Sequence, residues 1–74
     1  MKTKRERFEI VAGKRVQTII DKLELIGNCS NRNNYDYNKE DVRKMFSAIK
    51  DSLKRTEVKF EDELKKEEKK KFKF

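Results

Sequence analysis

Apolar residues fall into two stripes at helical spacing. The first runs Phe8, Ala12, Val16, Ile19, Ile20, Leu23 and Ile26. Steps of three and four place these side chains on one side of a helix, within an arc of about 120° at 100° per residue. Thr3 followed by Glu6 matches a capping box, in which each side chain satisfies an orphan amide of the first turn. Gly27 stands where a left-handed residue would end a helix at least steric cost. The pattern predicts a helix over 4–26, about 34 Å long at 1.5 Å per residue. Gly13 interrupts it, at up to ~1 kcal/mol relative to alanine. That glycine is either tolerated or marks the close approach of another backbone.

The second stripe runs Val42, Met45, Phe46, Ile49, Leu53, Phe60 and Leu64. Asn38 is a good N-cap, and Glu40 and Asp41 come next in the first turn, where the helix dipole favours negative charge. Tyr37 before the cap and Val42 four residues after it fit a hydrophobic staple. The predicted helix spans 39–64. Beyond it, the charged segment 65–74 is rich in helix formers but has no C-cap, and fraying is expected there.

Between the stripes lies "NCSNRNNYDYN", five asparagines and two tyrosines in residues 28–38. Asparagine tolerates left-handed backbone and bonds its own turns, so a loop over 28–37 accounts for them as turn chemistry. Tyr35 and Tyr37 alternate across Asp36, as if one ring covered the open end of a helix pair. Asparagine and tyrosine together are also what adaptable binding surfaces use.

Composition narrows the class. The chain has 74 residues, 47% of them charged, with two glycines and no proline, histidine or tryptophan. That excludes a loop-rich or all-β fold and leaves one small all-α domain. A two-helix antiparallel hairpin is the simplest arrangement. A lone hairpin leaves much of both stripes uncovered, and a homodimer forming a four-helix bundle would bury the rest. The alternative is that the Phe60/Leu64 end, past the reach of the shorter first helix, receives a different protein.

Cys29 is the single cysteine, so no disulfide framework, zinc spacing or redox pair exists. No apolar run approaches the ~18 residues of a membrane span, and no signal-peptide core comes after "MKTKRER". The expectation is a soluble cytoplasmic protein without a membrane span. Without histidine, the usual general base is missing. Cys29 has Arg32 near it in sequence but no base, and there is no glycine-rich phosphate loop. No catalytic role, cofactor or metal is expected.

Charge adds one candidate. The net charge is +7, and residues 1–7 carry four basic side chains against one acidic, whereas 8–38 balance. On the second helix Lys39, Arg43, Lys50 and Lys54 fall within about 60° of arc beside the apolar stripe. Joined by Lys2, Lys4, Arg5 and Arg7, they form a candidate surface for nucleic-acid phosphates. The same residues also serve solubility, their stems covering the edge of an apolar face. In the terminal "KKKFKF", Phe72 and Phe74 among lysines suit base stacking or a membrane interface, or an unstructured end.

The run "KRVQTIIDKLELIGNCSNRNNYDYNKEDVRKMFSAIKDSLKRTEVKF", residues 14–60, resembles small helical proteins carried by prophages, plasmids and transposons of Gram-positive bacteria. The resemblance lies in the "LIGNCSNRNNYDY" turn and the "KEDVRKMFSAI" run after it. It implies a two-helix fold and a mobile-element setting, and no activity. Two functions of different class fit. One is a non-enzymatic accessory protein that docks a basic helical face on DNA, RNA or a nucleoprotein. The other is a protein-binding adaptor or stoichiometric inhibitor of a host protein, of the counter-defence or anti-CRISPR type. For the second, Tyr35, Tyr37, Phe60 and Leu64 are the candidate partner or oligomer interface.

Overall fold

The computed structural model describes residues 2–69. Among these residues all regular structure is helical: α1 covers Lys4–Asn28 and α2 covers Lys39–Lys69, with no strand. The chain divides into two units, with the boundary between Asp36 and Tyr37.

In the first unit, Thr3 caps α1 from an extended backbone. Its hydroxyl accepts from the Glu6 amide at 3.1 Å, and the Glu6 carboxylate accepts from the Thr3 amide at 3.4 Å. Two of the orphan donors of the first turn are thereby satisfied. Along the helix, Arg5 pairs with Glu9 at 2.9 Å and Gln17 donates to Asp21 at 2.9 Å. The Thr18 hydroxyl donates to the Lys14 carbonyl at 3.0 Å, so this mid-helix threonine leaves no donor unmet.

The end of α1 differs from the sequence expectation. The helix runs to Asn28, not 26, and Gly27 lies within it with no positive φ. Cys29 closes it in right-handed geometry, φ −73° and ψ −5°. The Cys29 and Ser30 amides donate to the Ile26 and Gly27 carbonyls at 2.9 and 3.1 Å. Such i→i−3 bonds tighten the last turn and satisfy its carbonyls, so no left-handed glycine is needed. The asparagines then work as turn residues. The Asn31 side chain accepts from the Asn33 amide at 3.0 Å, and its carbonyl accepts from the Asn34 and Tyr35 amides at 3.2 and 3.0 Å.

In the second unit, Asn38 caps α2. Its side-chain oxygen accepts from the Asp41 amide at 2.9 Å, and the Asp41 carboxylate accepts from the Asn38 amide at 3.0 Å. Tyr37 and Val42 are both half-buried, as a staple across this cap would leave them. α2 continues to Lys69, five residues past the expected end. Nothing in "KKEEK" breaks a helix, and Lys66 pairs with Glu63 at 3.3 Å one turn back. Residues 70–74, including Phe72 and Phe74 of the expected tail, lie outside the described residues.

No described residue is buried. Ala12 and Ile26 on α1, with Tyr37, Val42 and Ile49 in the second unit, are half-buried. Taken by itself, each helix carries its apolar stripe on a largely exposed face.

Candidate docking surfaces

Most of the exposed large apolar side chains lie in the two stripes. On α1, Ile19 is 60% exposed and Val16 55%. On α2, Leu53, Phe60 and Leu64 are 57, 55 and 61% exposed, more than Met45 and Phe46 at 41 and 42%. The uncovered surface on α2 therefore grows toward Phe60 and Leu64. Ile10, Val11 and Leu25 add exposed apolar surface on α1 outside the stripe, and Val58 does so on α2. The spacing rule passes over these four because Ile10, Leu25 and Val58 fall on the far side of their helices and Val11 falls outside the edge of its stripe.

The basic candidates lie in two places. Lys2 precedes α1 outside any regular element, while Lys4, Arg5 and Arg7 sit in its first turns. Arg5 is not a free charge: it pairs with Glu9 and lies 5.7 Å over the Phe8 ring. A helix N-terminus disfavours cations, and Glu6 is the acidic residue of this first turn. Three basic side chains are therefore held where the dipole works against them.

Lys39, Arg43, Lys50 and Lys54 share one flank of the α2 stripe. Arg43 is 75% exposed and pairs with Glu40 at 3.3 Å. Extension of the helix to Lys69 lengthens this flank. Glu57, Glu61 and Glu68 continue it within about 40° of arc. The flank is basic up to Lys54 and acidic from Glu57. A count of basic residues alone misses this change of sign.

In the connection, Tyr35 is 51% exposed, whereas Tyr37 is half-buried beside the α2 cap. Cys29 is exposed, and its thiol lies 3.7 Å from the Leu25 carbonyl. A shallow depression along Glu63, Leu64, Lys66 and Glu67 is the space between side chains one turn apart. Among the described residues no three His, Cys, Asp or Glu side chains are placed to hold a metal ion. No described helix is long and apolar enough to cross a membrane. No protein-family model, curated protein or solved structure matches the chain.

Proposed function

We propose that this chain is a non-enzymatic docking module whose two amphipathic helices work by having their apolar stripes covered by protein. The observation that supports this reading is the absence of any buried described residue, together with largely exposed apolar stripes on both helices. Monomeric soluble proteins rarely expose contiguous apolar patches of that extent, and helix-in-groove partners read such stripes at steps of three and four. The antiparallel hairpin and the homodimeric four-helix bundle belong to this proposal as ways of covering the stripes. A host protein seated on the Phe60/Leu64 end is the other. The resemblance to mobile-element proteins suits an adaptor or inhibitor of a host factor, acting in the cytoplasm.

A second reading, contact with nucleic acid, is favoured by the cations at the start of α1. Lys4, Arg5 and Arg7 stand where they weaken the helix, which suggests that they answer to something other than stability. Titration of labelled duplex DNA and structured RNA at roughly 50 and 200 mM salt separates the two. Binding through six or more phosphates weakens about a thousandfold or more across that range. Protein docking predicts no sub-micromolar nucleic-acid binding even at the lower salt. It also predicts that Phe60→Ala with Leu64→Ala weakens association with the partner about a hundredfold or more. Steep salt-dependent binding lost in Lys4→Glu with Arg7→Glu would replace it with the second reading.

A further inference from the structure

We infer that the α2 stripe is covered by α2 of a second copy of this chain, running antiparallel. The inference rests on the docking reading above and names the partner for one of its two helices. Val42, Phe46, Ile49, Leu53, Thr56 and Phe60 succeed one another in alternating steps of four and three, the spacing of a coiled-coil seam. Thr56 does not spoil the seam. Its hydroxyl donates to the Ser52 carbonyl at 2.9 Å, so no donor needs a partner there.

The flanking charges fix the direction. One flank carries Lys39, Arg43, Lys50 and Lys54, then Glu57, Glu61 and Glu68. The opposite flank carries Asp41 early and Lys59 and Lys66 late, with Ala48 and Ser52 between and Glu63 paired with Lys66 at its edge. In an antiparallel pair each flank meets the same flank of its partner, reversed end for end. The basic half then lies along the acidic half, and Asp41 lies near Lys66. The change of sign falls between Lys54 and Glu57, close to the middle of the 42–64 stripe. With Leu53 at the centre, Lys50 lies about level with Glu57 of the second copy and Arg43 within a turn of its Glu61, while Lys54 falls between the second copy's Lys50 and Lys54. In a parallel pair each flank meets the other flank at the same level, which leaves Lys50 and Lys54 opposite Ala48 and Ser52. Antiparallel helix dipoles are also the favourable arrangement.

Phe46 and Phe60 supply the test, since they lie symmetrically about Leu53. In the full-length Cys29→Ser chain, Phe46→Cys and Phe60→Cys are made separately, mixed, and treated with a short bis-maleimide. The antiparallel pair predicts cross-linking between the two variants and little within either, because like positions stand about 21 Å apart. Efficient cross-linking of each variant to itself would mean a parallel pair and overturn the inference. No cross-linking in any mixture would overturn it as well.

Charge reversal gives an independent arm that leaves the seam intact. Arg43→Glu with Lys50→Glu should weaken self-association in sedimentation roughly tenfold or more, and adding Glu57→Lys with Glu61→Lys should restore it. Unchanged association in the first variant, or no recovery in the second, contradicts the antiparallel register. The docking reading fails on a different result, namely that Phe60→Ala with Leu64→Ala changes no association at all.

Discussion

Asn38 and Asp41 cap each other: each side chain accepts the backbone amide of the other, at 2.9 and 3.0 Å. Two of the first orphan amides of a 31-residue helix are thereby satisfied by residues three apart. Asn38→Ala removes one acceptor and should destabilise the helical state by about 1 kcal/mol, within the usual range of roughly 0.5–2 for cap losses. Thermal melts tracked at 222 nm, at fixed protein concentration, read this directly. Asn38→Ser should recover most of the loss.

Gly13 gives a prediction of opposite sign. A Cβ built there meets nothing within 4 Å, and the residue has no positive φ. Gly13→Ala should therefore raise the stability of α1 by up to ~1 kcal/mol. A melt at lower temperature than wild type would mean that a partner's backbone approaches this position in the assembled state.

What is legible in the sequence is what local chemistry decides. The Thr3/Glu6 capping box spans four residues, and the stripes need only their own helix, so both appear as expected. The helix ends are less legible. Gly27 has the character of a stop, yet an i→i−3 finish through Cys29 and Ser30 closes the helix by a bonding pattern that any residue can adopt. Past Leu64 no breaker exists, so the end of α2 has no residue to mark it. Asp41 reads as a dipole charge, and its second role as the capping partner of Asn38 escapes notice because the familiar signature has Glu or Gln at that position. Glu57 and Glu61 already share the basic flank within a helix over 39–64, and only Glu68 joins it once α2 continues past 64. Any surface that two chains or two proteins form together has no signature within one helix.

The first turn of α1 offers a test in which stability and binding move apart. Lys4→Glu, alone or with Arg7→Glu, removes cations from the positive end of the helix and should stabilise it by about 0.3–1 kcal/mol per site at low salt. If those cations serve phosphate contact, the same variants lose nucleic-acid binding while melting higher. Higher melting with no change in binding would assign them no phosphate.

Phe60 and Leu64, the most exposed end of the α2 stripe, should dominate association. Truncating both to alanine removes apolar surface worth roughly 3 kcal/mol or more if it is covered in the complex. The double variant should therefore weaken association about a hundredfold or more, since about 1.4 kcal/mol is tenfold. Arg43→Glu with Lys50→Glu should act less strongly, through the flank alone. An equal or larger effect of the charged pair, measured by sedimentation at two salt concentrations, would shift the interface from the stripe to the flank.

Helices that bury nothing of their own depend on whatever covers them, because isolated amphipathic helices are marginal in water. The most direct measurement is helicity at 222 nm on serial dilution of the wild-type chain, with its mass determined by sedimentation at the same concentrations. Helicity should fall as the assembly dissociates to monomer. A monomer that keeps its full helicity at every concentration would contradict it.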